Sequence, residues 1–379
     1  MDNHIDTDNT PNTTYRAISL FSGMGGDTLG MIRSGIKVVA YSEIDPVIRQ
    51  THEANFPDCN LLGADVNSDI TKITDAELAS YRGIDFLFAG FPCQSFSTGG
   101  QRKMNDPRNT MFREFVRTAK LTEAKVVIGE NVKGLLTKKT TEGRLYIDVI
   151  VEEFQKLDYS VIYKVFPCHT YGVPQRRERL VILGIQNSIL SQSDPPFRLE
   201  FPLPDTPDPS QYKDLRGIVE FTMSGTLPVT PETYPFDSLP PESIVSDLTN
   251  TELPDPKPHP YLVMKRDTPD KSYGEKTYTT LFSFAKRGSP IHCEITDLQK
   301  PTKTIICTYD HQPRLFVAVR NKNGDYLRPF TPQELAQIQT FPKDYKLCGN
   351  TKKQIVQVGN AVPPLLIQKI TTHLIPSQS

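Results

Sequence analysis

Residues 17–26 read AISLFSGMGG. A short apolar run breaks directly into a cluster of glycines. Such a run suits a strand covered on both faces, and glycine lets the following turn bring backbone close to a ligand. The spacing of Gly23, Gly25 and Gly26 is not the G-x-G-x-x-G dinucleotide fingerprint, so the turn alone names no ligand. Working outward, residues 37–41 are β-rich, and residues 46–55 predict a helix with Pro46 at its first position. Residues 85–89 and 126–128 are further apolar strands, with a helix predicted over 107–120 between them. Ile147, Ile150, Val151 and Phe154 place helical spacing over residues 146–157, and strands follow at 160–166 and 180–183. Apolar strands alternating with helices predict an α/β fold: a doubly wound, mostly parallel sheet.

Composition bounds the rest. The 379 residues hold 43 basic and 44 acidic side chains, so any surface for nucleic acid must be a local patch. No apolar run approaches the roughly 18–20 residues of a membrane span. Residues 1–14 are polar and acidic, which predicts a disordered tail rather than a secretory signal. The 6 cysteines form no C-x-x-C pair, which argues against structural zinc and disulfides and predicts a reducing, intracellular setting. Half of the 32 prolines fall between residues 191 and 270. The stretch 194–210, DPPFRLEFPLPDTPDPS, cannot be a regular helix or a central strand. A boundary near residue 188, with a loop-rich second region behind it, is therefore expected. Thr331-Pro-Gln-Glu334 is a capping box that opens a helix to about residue 340.

Ligands of such sheets bind outside the carboxyl ends of the strands. Glu43 and Asp65 stand where an acid commonly takes ribose hydroxyls, although each alone reads more readily as a solvated carboxylate. Cys93 follows an apolar strand at a turn forced by Pro92. A thiol there, near backbone N–H groups, favours the thiolate; the alternative is a small core cysteine. Glu130 and Asn131 end the next strand, as acid assistance for a nucleophile or as a turn cap. Gln175, Arg177 and Arg179 alternate along a strand, which aims them together into a cleft and turns Arg176 and Glu178 away. An exposed charged edge is the other reading.

At this point the residues resemble a known family. FSGMGG (21–26), GFPCQSFS (90–97), ENVKG (130–134), YGVPQRRERL (171–180) and QVGNAVPP (357–364) match the DNA (cytosine-5) methyltransferases in content and order. The resemblance covers about residues 15–187 and 297–379, and the gap falls where that family keeps its variable target-recognition region. It implies the class I S-adenosylmethionine-dependent fold, with a catalytic domain over 15–187 completed by 352–379. A smaller target-recognition domain and hinge would take 188–351. It implies Cys93 as nucleophile on cytosine C6, Glu130 on N3 and the exocyclic amine, and Arg177 and Arg179 holding the flipped base. It implies S-adenosylmethionine, yielding S-adenosylhomocysteine, held by Phe21, Gly23, Gly25, Gly26, Glu43, Ile44, Asp65, Asn360 and Val362. No metal is expected. Ala64 interrupts the family's usual Gly-Asp pair before Asp65.

Duplex DNA is the implied partner, met by Gln94, Ser97, Arg102, Arg108 and Gln175. Residues 94–108, with Gly99, Gly100 and Lys103, resemble a mobile loop that closes over DNA. Residues 261–287 mix Lys265, Arg266, Lys271, Lys276, Lys286 and Arg287 with Tyr273, Tyr278, Phe282 and Phe284, either a DNA-facing set or a solvated surface over a small β core. A monomer of the bacterial, phage or viral type is expected, in a bacterium or a virus-infected cell, without a membrane, and with a cognate endonuclease that acts separately. Two alternatives keep the fold: a tRNA cytosine-5 methyltransferase, and a catalytically silent DNA-binding homologue. A third reads Pro167-Cys-His-Thr170 as a thymidylate-synthase-like motif with Cys168 as nucleophile.

Overall fold

The computed structural model describes residues 15–92, 111–193, 196–206, 208–229, 236, 239–254, 262–265, 281–284, 294–310 and 314–375. Strands β1 (Tyr15–Leu20), β2 (Ile36–Tyr41), β3 (Asn60–Leu61), β4 (Phe86–Ala89) and β5 (Val126–Asn131) are separated in turn by helices α1 (Gly26–Arg33), α2 (Pro46–Asn55), α3 (Asp75–Ala79) and α4 (Phe112–Thr122). Helix α5 (Tyr146–Gln155) and strands β6 (Tyr159–Pro167), β7 (Gln175–Arg176) and β8 (Glu178–Gln186) follow. Seven strands form one sheet in the order β3-β2-β1-β4-β5-β8-β6. β8 runs antiparallel to both neighbours, and the pairs from β3 to β5 are parallel. This is the doubly wound, mostly parallel sheet that the alternating apolar runs predict.

Period-two burial builds the layers. Ile18, Leu20, Leu87, Ala89, Val127, Leu180 and Ile182 face one side and pack with Leu78 of α3, Phe112, Phe115 and Ala119 of α4, and Ile147, Ile150 and Phe154 of α5. Ala17, Phe86, Phe88, Val126, Ile128, Val181, Leu183 and Ile185 face the other. That second face is covered by Met31 of α1 and by Leu366, Ile367, Ile370 and Leu374 of α9 (Pro364–Leu374). Helix α2 starts where Pro46 predicts, because the Asp45 carboxylate caps the N–H groups of Val47 and Ile48.

Beyond α6 (Asn187–Leu190) the chain is loop-rich. Its short strands are β9 (Leu227–Val229), β10 (Ile244–Asp247), β11 (Leu262–Lys265), β12 (Leu281–Phe284), β13 (Glu294–Ile295), β14 (Thr302–Lys303), β15 (Leu315–Asn321) and β16 (Gly324–Pro329). A second sheet has the order β10-β15-β16-β9, with β13 also on β15. β11 and β12 form an antiparallel pair; the other expected DNA-facing residues of 261–287 lie outside the described residues.

The capping box at Thr331 opens α7 (Pro332–Ile338), and its Glu334 also forms a buried ion pair with Arg328 at 2.6 Å. Helix α8 (Thr351–Asn360) then leads into α9. The two halves are not separate cores. Met24, Leu29 and Phe56 pack in one cluster with Leu298, Tyr309, Val317, Phe341 and Ile355. A two-strand parallel ladder, Thr302–Gln175 and Lys303–Arg176, joins β14 to β7 across the same seam.

Candidate functional site

The site is assembled at the carboxyl ends of β1, β2, β4 and β5. Phe21 leaves β1 with φ 54°, a left-handed conformation uncommon for an aromatic residue. The turn behind it is pinned by Ser22 N–H donating to Ser42 O at 2.9 Å and Gly25 N–H donating to Ser22 O at 2.9 Å. Gly26 opens α1 against the returning chain: a Cβ there would lie 2.2 Å from the Val362 carbonyl oxygen. Gly23 is the opposite case. Its φ is +56° and no described residue lies within 4 Å of where its Cβ would be. Among the described residues the glycine turn is thus packed behind and open in front.

Glu43 stands over that opening. Its carboxylate accepts the Gly23 N–H at 3.1 Å and the Asp45 N–H at 2.8 Å, while its own N–H donates to Ser68 Oγ. Burial pushes the Glu43 carboxyl above the usual carboxylate range, and the two N–H groups pull it partway back. Next to it Ile44 is 55% exposed, an apolar side chain left uncovered beside a half-buried acid. Asp65 is exposed in a 3-10 turn after β3. Asn360 is exposed at the end of α8, and Val362 is buried against Gly26. An uncovered apolar face, a carboxylate and a backbone turn with space in front make a donor set that fits an adenosyl group.

The reactive end lies at β4 and β5. A Cβ on Gly90 would be 3.8 Å from both Glu130 Oε2 and the Phe21 carbonyl oxygen, so three strand ends converge there. Glu130 Oε1 pairs with Arg179 Nε at 2.7 Å, and both side chains are nearly buried. Asn131 is fully enclosed, and its Nδ2 donates to the Phe91 carbonyl at 3.1 Å while its Oδ1 accepts the Val132 N–H. It therefore fixes the backbone that leads through Pro92 to Cys93. The sequence offers Asn131 only as a turn cap; its adjacency to Glu130 is the signal for more. Cys93, Gln94, Ser97, Arg102 and Arg108 lie outside the described residues.

The three alternating residues of the arginine segment do share a side, but that side is not an open cleft. Gln175 is fully buried; its Nε2 donates to Gln339 Oε1 and its Oε1 accepts the Ile305 N–H. Arg177 is fully buried too, donating to the carbonyls of Ile305, Gly359 and Ala361. The expectation that Gln175 meets DNA and Arg177 holds a base is corrected: both brace the seam under the site, and only Arg179 reaches Glu130. Cys168 is likewise interior, in the core beneath β6, and burial pushes its thiol up to about 11. It is no nucleophile in this conformation, which removes the thymidylate-synthase-like reading. Among the described residues no group of three His, Cys, Asp or Glu could hold a metal ion, and no helix is long and apolar enough to cross a membrane.

The chain is similar to known proteins over nearly its whole length. The family model for C-5 cytosine-specific DNA methylase matches residues 15–376. The Type II methyltransferase M1.HphI of Haemophilus parahaemolyticus is 31% identical over 361 residues, 93% of this chain and 84% of that one. The Type II methyltransferase M.Eco47II of Escherichia coli is 29% identical, covering 96% of this chain and 80% of that one. Among solved structures, a DNMT2 mutant of Spodoptera frugiperda matches with a TM-score of 0.61 at 19% identity, over 94% of this chain and 98% of that one. A putative DNA modification methyltransferase from an E. coli prophage matches at 0.58 with 20% identity, over 95% and 98%. These two likenesses bear on the fold; the family match bears on the chemistry. The chain belongs to the C-5 cytosine-specific DNA methylases and is a DNA cytosine-5 methyltransferase.

Proposed function

We propose that this enzyme methylates C5 of one cytosine in a specific duplex sequence, on a base flipped out of the helix, through a covalent bond between Cys93 and C6. The observation that carries the reading is the Glu130–Arg179 pair at 2.7 Å, set beside the Gly90 backbone that runs on to Pro92 and Cys93. C5 of cytosine is a poor nucleophile inside an aromatic ring. The Cys93 thiolate adds to C6, and the electron pair of the C5–C6 double bond becomes available at C5. Glu130, held by Arg179, hydrogen-bonds N3 and the exocyclic amine and supplies the proton that offsets the charge entering the ring. S-adenosylmethionine, when bound, supplies the methyl group that C5 takes up. A base then removes the C5 proton, the electrons re-form the double bond, and the C6–S bond breaks to release Cys93. The base must leave the stack, because neither face of C6 is reachable within a duplex.

Phe21, Gly23, Glu43 and Ile44 would hold the cofactor, with Gly25 and Gly26 shaping the turn and Asp65, Asn360 and Val362 at its border. Residues 15–187 with 352–379 form the catalytic domain in this reading, and 188–351 the recognition domain and hinge. The enzyme acts as a monomer inside a bacterial or virus-infected cell and protects sites that a separate endonuclease cuts. The test is incubation of wild type and Cys93→Ala with duplex DNA and methyl-labelled S-adenosylmethionine, read by bisulfite sequencing. Methylcytosine in one short context, absent with Cys93→Ala, is the expected result. Label that reaches tRNA and no duplex would transfer the substrate to RNA; no label on either would leave a silent homologue.

A further inference from the structure

Beneath the glycine turn lies a carboxylate that the mechanism above does not use. Asp27, in the first turn of α1, is 1% exposed. Its Oδ2 accepts the Ser19 hydroxyl from β1, and its Oδ1 accepts the Ser22 hydroxyl from the turn at 3.4 Å. The backbone N–H groups of Asp27 and Thr28 also point at it. No lysine or arginine among the described residues pairs with it. Ser22 Oγ lies 3.2 Å from Thr28 Oγ1, which lies 3.1 Å from His52 Nε2 on α2. Burial pushes the imidazole down to about 3, so it is neutral, and its buried Nδ1 has no partner among the described residues. A lone pair left at Nδ1 is the cheaper orphan, which puts the proton on Nε2. The donors then run one way, from His52 through Thr28 and Ser22 to an ionised Asp27.

We propose that Asp27 is a positioning residue for the cofactor turn, and that its ionised form, drawing in the Ser19 and Ser22 hydroxyls, holds residues 21–25 in the shape that binds the cofactor. This rests on the cofactor assignment made under Proposed function. A protonated Asp27 has to donate a hydrogen bond itself and turns one serine hydroxyl away, which releases the turn. Burial raises the Asp27 carboxyl to about 7, so both forms are populated near neutrality. The other titratable groups facing it stay in one state there: burial raises the Cys59 thiol to about 12 and the Tyr345 hydroxyl well up, and His52 is neutral. Glu43, on the Gly23 N–H, touches the same turn from β2 and is also raised by burial, so the experiment separates it from Asp27.

The sign for stability is fixed. A carboxyl raised from 3.8 to about 7 keeps a proton in the folded chain that the unfolded chain gives up, so its contribution to stability falls as pH rises between those values. The measurement is calorimetric binding of S-adenosylhomocysteine at pH 6, 7 and 8, with melting temperatures at each. A turn competent only with Asp27 ionised gives wild-type affinity that rises by about tenfold from pH 6 to pH 8. Asp27→Asn binds with no pH dependence, and its melting temperature gains on wild type as pH rises. Ser22→Ala keeps the wild-type pH dependence of melting but loses that of binding, and it carries the test if Asp27→Asn does not fold. A wild-type profile shared by Asp27→Asn would assign the dependence to Glu43 and overturn the proposal. No binding by wild type at any pH would bring down the cofactor assignment and this inference with it.

Discussion

Arg177 and Arg179 stand two positions apart and meet different fates. Arg177 fastens three backbone carbonyls from two distant segments, while Arg179 holds one carboxylate at the site. Losing a buried donor leaves each carbonyl unsatisfied, at about 1–3 kcal/mol apiece. Arg177→Ala therefore lowers the urea midpoint by the equivalent of several kcal/mol. Arg179→Ala strands the nearly buried Glu130 carboxylate, so it too lowers the midpoint, by the equivalent of about 3 kcal/mol, and the folded variant also loses single-turnover methylation rate by on the order of 10²-fold. An equal loss of rate in folded Arg177→Ala would remove the distinction. Glu130→Gln keeps the shape and lacks the proton, so its rate falls by on the order of 10²–10⁴ with duplex affinity little changed in a filter-binding assay. The sequence carries the alternation of Gln175, Arg177 and Arg179 correctly. It cannot say what lies against their common side, because Ile305, Gly359 and Ala361 arrive there from more than 120 positions downstream.

At the scale of single elements, helix α1 is defined by glycines with opposite duties. Gly26→Ala drives a methyl into the Val362 carbonyl oxygen 2.2 Å away, and backbone cannot step aside cheaply. Melting temperature falls by the equivalent of about 1–3 kcal/mol. Gly23→Ala meets no described residue within 4 Å but must hold φ +56°, so it loses about 1 kcal/mol of stability and, under the cofactor assignment proposed above, considerably more cofactor affinity. Calorimetry with S-adenosylhomocysteine checks both. Elements with strong local rules were legible: Pro46 and Asp45 set the start of α2, and the capping box sets α7. The two-residue β3 and the β7–β14 ladder were not, since neither is long enough to show a period. Asp27 carries no signal in the sequence: an acid in the first turn of a helix reads as solvated until burial is known.

For the whole molecule, the decisive contact is between its two ends. Ser34, at the close of α1, donates to the carbonyl of Gln368 in α9, 334 positions later. Leu366, Ile367, Ile370 and Leu374 are all fully buried on the central sheet. At roughly 1.5–3 kcal/mol for each large apolar side chain, their removal is comparable to the roughly 5–15 kcal/mol by which a domain is stable. A chain stopped after residue 363 is expected to lose the cooperative urea transition that circular dichroism records for the full chain. Doubly wound character was readable from local apolar runs, but which helix covers each face was not, because that is set by pairing across the length of the chain. The placement of α9 has a consequence for how the protein is made. At synthesis rates of about 5–20 residues per second, the bare face of the sheet waits for its cover for tens of seconds after α1 is complete. Until then the nascent polypeptide needs shelter from aggregation, and a transcript cut short yields a product without enzymatic competence, so DNA is marked only by molecules whose translation ran to α9.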